Sequence, residues 1–157
     1  MMSPYFESLI KNSLTVLADE PDDSTGMVWS EAEASAELES TEKAIYKLDL
    51  IDKEVLIEEV EDLLSYDTIR KVKELWLDKN EFGNEGVEML ATSPQLEKLL
   101  VLSLAHNKLT NYSAQSIAVS PHLCQLQKLF LQSNQIGLEG LTALVGSETL
   151  SNLQLLY

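Results

Sequence analysis

The side chains of this chain that are best suited to general-base or nucleophilic chemistry are two histidines and a set of serines. His106 follows a predicted strand, whereas His122 lies in the predicted turn SPHL, so the two imidazoles are expected at different edges of the fold. Ser93 and Ser120 each precede a proline, which is typical of turns and not of activated nucleophiles. Glycine-rich phosphate loops, metal-ligand spacings and paired carboxylates are absent from the sequence. We therefore predict a non-enzymatic protein without a metal or a cofactor.

Composition also excludes several kinds of site and partner. Cys124 is the sole cysteine, which excludes intrachain disulfides, and Arg70 is the sole arginine, which disfavours arginine fingers. The formal net charge of -15 repels phosphate backbones and anionic membranes. The apolar runs are shorter than the roughly 20 residues that cross a bilayer, and the N-terminus lacks a secretion signal. The composition predicts a cytoplasmic protein that binds a protein partner and neither nucleic acid nor membrane.

One pattern recurs along the chain at a fixed offset of 27 residues. The columns that this offset aligns include Leu75, Leu102, Leu129 and Leu156; Leu77, Leu104 and Leu131; and Asn80, Asn107 and Asn134. One further step back reaches Leu48 and Leu50, but Lys53 occupies the asparagine column, as expected of an atypical terminal repeat. The predicted units are a degenerate repeat at 47–73, three clear repeats at 74–154 and the start of a further strand at 155–157.

Each repeat joins two segments of different periodicity. The LxLxxN segment alternates in the manner of a short strand, and the segment that follows, GNEGVEMLAT in the first clear repeat, spaces its apolar residues as a helix does. One strand and one short helix cannot bury their apolar faces alone, so the repeats must stack on each other.

The three clear repeats resemble the leucine-rich repeat family, and in particular its ribonuclease-inhibitor-like branch. The segments that carry the resemblance are LWLDKNEFGNEGVEMLATSPQL, LSLAHNKLTNYSAQSIAVSPHL and LFLQSNQIGLEGLTALVGSETL. Their SPQL and SPHL tails are similar to those of long arrays in some bacterial repeat proteins. The resemblance implies an α/β fold: a curved solenoid with short parallel strands on its concave face and helices on its convex face.

Residues 1–46 are predicted to form an acidic helical cap on the first repeat. Ser3 and Pro4 begin a predicted helix whose apolar face consists of Phe6, Leu9, Ile10, Leu14 and Leu17. A second helix is predicted to begin at Ser30. Without this cover, the leucines of the first repeat would face water along an open edge.

The recurring asparagines are interpreted as structural. A side-chain amide offers both donors and an acceptor, so Asn80, Asn107 and Asn134 can satisfy backbone groups in the turns between stacked repeats.

The residue between the two leucines of each strand should point outward on the concave face, because strand side chains alternate. Stacked, this column reads Asp49, Trp76, Ser103, Phe130 and Tyr157, and the flanking columns contribute Glu74, Asp78, Lys128 and Gln132. Aromatic residues among mixed charges are typical of protein-binding hot spots. The strand spacing of about 4.8 Å predicts a shallow gap between the Trp76 and Phe130 rings, over Ser103, that accepts one partner side chain. The alternative is that the rings pack on each other to shield the sheet.

Three functions fit these observations. The first is a non-enzymatic module that binds a protein partner through the concave face. The second is an architectural N-terminal segment of a longer repeat array, since the sequence stops as a further strand begins. The third is a regulator or inhibitor of an enzyme such as a nuclease or a GTPase, although a fold alone does not establish function. Leu150, Leu153, Leu155 and Leu156 have no following repeat, which predicts self-association or fraying at this C-terminal edge.

Overall fold

The structure is a computed structural model of the chain, and it describes residues 2–17 and 44–157. These residues form one open sheet of six strands in chain order. The strands are β1 (Leu14–Leu17), β2 (Ile45–Asp49), β3 (Val72–Trp76), β4 (Val101–Ser103), β5 (Lys128–Phe130) and β6 (Leu155–Leu156). The α-helices are α1 (Pro4–Ser13), α2 (Ile57–Leu64), α3 (Gly83–Thr92), α4 (Asn111–Ala118) and α5 (Leu138–Val145). Two short 3-10 helices span Asp67–Lys71 and Pro94–Leu96.

The predicted fold class is confirmed: helices alternate with parallel strands in a curved α/β repeat solenoid. Strands β2 to β6 run parallel, and Leu75 lies opposite Leu102 in the same way that Leu102 lies opposite Leu129. Each coil therefore returns the chain to the sheet one strand further along, and residues 27 apart stack in columns.

The core lies between the sheet and the helices. Both leucines of the strand pattern point into it, so that Leu75 and Leu77 are fully buried, as are Leu102 and Leu104 in the next coil. Each helix adds the residues of one face; those of α3 are Val87, Leu90 and Ala91, at a spacing typical of an amphipathic helix. Burying one leucine stabilises the fold by about 1.5–3 kcal/mol. The leucines buried between neighbouring coils therefore hold each coil in the stack.

The N-terminal segment differs in part from its prediction. The Ser3 hydroxyl accepts a hydrogen bond from the Phe6 amide at 3.1 Å, and Phe6 and Ile10 are fully buried in the core. The helix ends at Ser13, however, and Leu14–Leu17 form a strand antiparallel to β2. The prediction that Leu14 and Leu17 continue the helical face is wrong, because the backbone of these residues pairs with the edge of β2. The helix predicted from Ser30 lies outside the described residues.

The turns after the strands contain an unusual backbone conformation. In the turn after β3, Lys79 and Glu81 have φ angles of 59° and 60°, and in the turn after β4, His106 and Lys108 have φ angles of 58° and 59°. Left-handed backbone at residues with a Cβ costs roughly 1–2 kcal/mol each. These residues flank Asn80 and Asn107, and the hydrogen bonds of the asparagine side chains help to offset this cost.

Candidate protein-binding surface

Strand pairing aligns the outward side chains of the concave face in a column. Asp49 lies opposite Trp76, Trp76 opposite Ser103, and Ser103 opposite Phe130. Tyr157 follows at the end of this column, where its carbonyl accepts a hydrogen bond from the Leu131 amide at 2.7 Å. The structure therefore brings all five residues of the predicted column together.

The aromatic residues of the column, Trp76, Phe130 and Tyr157, form a continuous row, which we call the aromatic row. The ring centroids of Trp76 and Phe130 are 5.7 Å apart with an interplanar angle of 25°, and those of Phe130 and Tyr157 are 6.2 Å apart. Two strand spacings would separate the first pair by about 9.6 Å, so the rings lean toward each other over Ser103. The prediction of a gap over Ser103 is wrong, because the two rings fill the space above the small serine, which is buried.

The polar surroundings of Trp76 come from its own chain. The Lys47 ammonium lies 4.9 Å from the ring centroid, a distance typical of a cation–π contact. The indole nitrogen donates a hydrogen bond to the Glu74 carboxylate at 3.3 Å, and Lys47 also forms an ion pair of 3.4 Å with Asp49. Trp76 is consequently half-buried at one end of the row, whereas Tyr157 at the other end is 71% exposed.

Two residues predicted to contact a partner are engaged inside the chain instead. The Ser103 hydroxyl donates to the Asp78 carboxylate at 2.5 Å, and the Ala105 amide donates to the same oxygen at 2.7 Å. Asp78 thus links its own coil to the next, and the aromatic rings cover Ser103. Lys128 and Gln132, from the flanking columns, remain exposed next to Phe130.

The side-chain amide of Asn107 bridges two coils. Its Oδ1 accepts hydrogen bonds from the amides of Asn80 and Glu81 at 2.9 and 2.8 Å, and its Nδ2 donates to the carbonyls of Leu77 and Ala105 at 2.9 and 3.2 Å. The side chain is fully buried. Asn107 therefore satisfies backbone groups that water cannot reach, and its contacts are structural.

The other two asparagines of the column make equivalent contacts. Asn80 accepts from the amides of Lys53 and Val55 in the degenerate repeat, both at 3.1 Å. Asn134 accepts from the amides of Asn107 and Leu109 at 2.9 and 3.0 Å. The three residues form an asparagine ladder in which each amide holds the turn of the preceding coil.

A second ladder, at the start of the helices, was missed by sequence reasoning. The Asn84 Oδ1 accepts from the Thr110 amide at 2.9 Å and from the Ser113 hydroxyl at 2.6 Å, and the Asn111 Oδ1 accepts from the Gly137 amide at 2.7 Å. The signal was present in the sequence, because Asn84 and Asn111 are also 27 residues apart. This ladder ties α3 and α4 to the turn of the following coil.

The side chains capable of acid–base chemistry do not lie close together. His106 is exposed in a turn, whereas the His122 Nδ1 lies 3.2 Å from the Glu97 carboxylate in another part of the fold. Hydrogen bonds to Glu7 and Glu88 raise the pKa of Lys11 and of Tyr112, and both residues lie outside the concave columns. Within residues 2–17 and 44–157, no group of three or more metal-binding side chains is assembled, and no helix is long and apolar enough to span a membrane.

Comparison with known families agrees with this architecture. A family model described as Leucine Rich repeat matches residues 68–91, which include β3 and most of α3, and residues 122–145, which include β5 and α5. No curated protein matches the chain. The chain therefore contains leucine-rich repeats, units that typically mediate protein–protein interaction and are generally not enzymatic.

Proposed function

We propose that the chain is a non-enzymatic interaction module that binds a protein partner through the aromatic row. The observation that supports this proposal is the row itself, three aromatic side chains in contact across the concave face that remain partly exposed. Partly exposed aromatic residues contribute a large share of binding energy in protein interfaces, because they bury much area at little entropic cost.

Exposure along the aromatic row indicates where a partner would bind. Lys47 already occupies the neighbourhood of Trp76, which leaves the Phe130 and Tyr157 end of the row accessible. A net charge of -15 favours association with a neutral or basic segment. We therefore propose that a partner places an aliphatic or cationic side chain on this end of the row, between the exposed side chains of Lys128 and Gln132.

The proposal is tested by affinity capture from native lysate with two variants. Phe130→Ala combined with Trp76→Ala removes the stacked pair, and Tyr112→Ala removes an exposed aromatic residue from helix α4 as a matched control. A captured protein that binds the unmodified chain and Tyr112→Ala, but not the double variant, supports the concave site. Aromatic anchors of this kind contribute about 2 kcal/mol, so the affinity should fall roughly 30-fold.

Two controls keep the outcome interpretable. The double variant must retain the circular dichroism spectrum of the unmodified chain, since unfolding would also abolish capture. A partner that binds all three proteins equally would contradict the concave-face proposal, and so would a partner that Tyr112→Ala releases.

A structural role for the rings is the second candidate. The observation in its favour is the 5.7 Å contact between Trp76 and Phe130, which closes the predicted gap and shields the strands beneath. If the rings act only as a cover, the double variant should lose stability and keep every binding partner. Regulation or inhibition of an enzyme such as a nuclease or a GTPase would be one form of partner binding, and the captured protein would identify it.

The finer classification is also a proposal. The helix in each coil and the strand pairing at an offset of 27 residues support assignment to the ribonuclease-inhibitor-like branch. Residues 1–46 are proposed as a cap and residues 47–157 as the repeat domain, because Phe6 and Ile10 of α1 are buried against the first coil. A cytoplasmic location is proposed from the single Cys124, since few cysteines are typical of reducing compartments.

A further inference from the structure

Four side chains at the Trp76 end of the concave face form a polar group around the indole ring. Lys47 and Asp49 extend from β2, and Glu74 and Trp76 lie opposite them on β3. All four are half-buried, and we call them the cation cluster. The next two strands carry no carboxylate at these positions, which are occupied by Val101 and Ser103 in β4 and by Lys128 and Phe130 in β5.

The indole of Trp76 is contacted from both sides of its strand. Lys47 approaches from β2, with its ammonium 4.9 Å from the ring centroid. Phe130 approaches from β5, with its own centroid 5.7 Å away. Because β2 and β5 lie on opposite sides of β3 in the sheet, one side of the indole packs on an aromatic ring and the other binds a cation.

The cation cluster holds more negative than positive charge. Lys47 forms an ion pair of 3.4 Å with Asp49, whereas Glu74 accepts a hydrogen bond from the Trp76 indole at 3.3 Å. Within residues 2–17 and 44–157, no basic side chain forms an ion pair with Glu74. One ammonium therefore faces two carboxylates beside an aromatic ring, which favours the binding of a further cation.

An arginine side chain can make contacts in this cluster that the Lys47 ammonium cannot. A guanidinium is planar, so it stacks on an indole and donates two parallel hydrogen bonds to a carboxylate. The ion pair that Lys47 forms with Asp49 is partly exposed, and such pairs contribute little net stability because holding a long side chain in one rotamer costs entropy. Displacing Lys47 by an arginine therefore costs little and adds hydrogen bonds.

We propose that the cation cluster binds an arginine side chain of the protein partner, and that Lys47 fills this site until the partner displaces it. The guanidinium stacks on the Trp76 indole and pairs with Glu74 and Asp49. This inference rests on the proposed function, because it names the partner residue that the Trp76 end of the aromatic row receives. The net charge of -15 favours the approach of such a basic segment.

Titration of the isotope-labelled chain with N-acetylargininamide, a single arginine side chain with uncharged ends, tests the site by nuclear magnetic resonance. The indole N–H resonance of Trp76 reports binding, and Trp76→Phe assigns it, since the chain has two tryptophans. Lys47→Met removes the competing ammonium, so this probe should bind about tenfold more tightly than to the unmodified chain, as expected if Lys47 fills the site about nine-tenths of the time. N-acetyllysinamide should bind more weakly, because an ammonium cannot stack or pair in a bidentate manner.

A matched control separates this site from general electrostatic attraction. Lys108→Met removes the same charge from an ion pair with Glu81, in a turn outside the cation cluster. It should change the affinity for the arginine probe by less than about twofold, because salt screens distant exposed charges. Adding Glu74→Gln to Lys47→Met should cancel most of the gain, since it removes one of the two carboxylates.

Three results would overturn the proposal. They are equal affinity of the unmodified chain and Lys47→Met, an equal gain for Lys108→Met, and a gain that Glu74→Gln does not reduce. Lys47→Gln, a second uncharged variant, should repeat the gain, and unchanged amide resonances in α3 to α5 would show that each variant is folded. The titration uses the free chain, so its outcome is independent of whether a partner is captured through the aromatic row.

Discussion

The inner coil around Asn107 and the outer coil around Asn134 share one sequence pattern but have different environments. The two amides make equivalent hydrogen bonds to their own coil and to the preceding coil. Asn107 is fully buried, however, whereas Asn134 is half-buried. The difference comes from the following coil, which covers the first residue and not the second.

The same contrast holds for the apolar columns. Leu102 and Leu129 are fully buried between neighbouring coils, and Leu156, in the same column, is only half-buried. In a stacked fold, the contribution of a residue to the free energy of unfolding therefore depends on whether its coil has neighbours on both sides. The predictions below compare inner with outer coils on this basis.

The largest difference is expected for the leucine column. Leu102→Ala should lower the free energy of unfolding by about 3 kcal/mol, because it leaves a cavity between two coils. Leu156→Ala should cost about 1 kcal/mol or less, since the half-buried site is open to water and loses less apolar contact. Urea unfolding in dilute solution, where association does not contribute, measures both. Equal losses for the two variants would contradict the comparison.

The asparagine ladder should show a smaller difference of the same sign. Asn107→Ala leaves the amides of Asn80 and Glu81 buried without a partner, at a cost of about 2 kcal/mol. Asn134→Ala should cost about 1 kcal/mol, because water can reach the vacated position. Thermal melts of both variants provide the measurement. A larger loss of stability for Asn134→Ala than for Asn107→Ala would show that exposure to water does not determine how much an asparagine of the ladder stabilises the fold.

Hydrogen exchange, which reports local opening of the backbone, should distinguish the outer coil from the inner coil without any mutation. In dilute solution the amides of Leu155–Tyr157 should exchange their hydrogens far faster than those of Val101–Ser103, because β6 has a neighbouring strand on one side only. Hydrogen-exchange mass spectrometry in dilute solution measures both exchange rates. Protection of β6 equal to that of β4 would contradict this prediction.

A small effect on stability is also expected on the concave face. Trp76→Ala removes a stacked ring pair at a half-exposed site, which should cost about 1 kcal/mol. The neighbouring inward residue Leu75 is fully buried, so Leu75→Ala should cost about 3 kcal/mol. Urea unfolding curves of the two variants measure both losses of stability. A loss for Trp76→Ala as large as that for Leu75→Ala would show that the aromatic row is part of the core.

The sequence could not predict how some side chains of the candidate surface are oriented or which polar groups of different coils bind each other. Strand alternation placed Trp76, Ser103 and Phe130 in one column, which the strand pairing reproduces. It left open whether the rings stand apart or pack on each other, because the side-chain rotamers depend on neighbours that only the tertiary structure defines. The cation–π contact of Lys47 with Trp76 and the hydrogen bond of Ser103 with Asp78 join residues of different coils, and the sequence contains no rule for such pairs.

The repeat period, the inward leucines and the stacking of the repeats followed from the sequence, because one strand and one short helix cannot bury their apolar faces alone. The resemblance to leucine-rich repeats implied the curved α/β solenoid. Tertiary structure alone decided where the first helix ends. Leu14 and Leu17 fit a helical pattern, yet they form a strand because β2 offers an edge of unpaired backbone groups. Tertiary structure also decided which members of each column are exposed, since equal residues such as Leu102 and Leu156 differ only in the coils beside them.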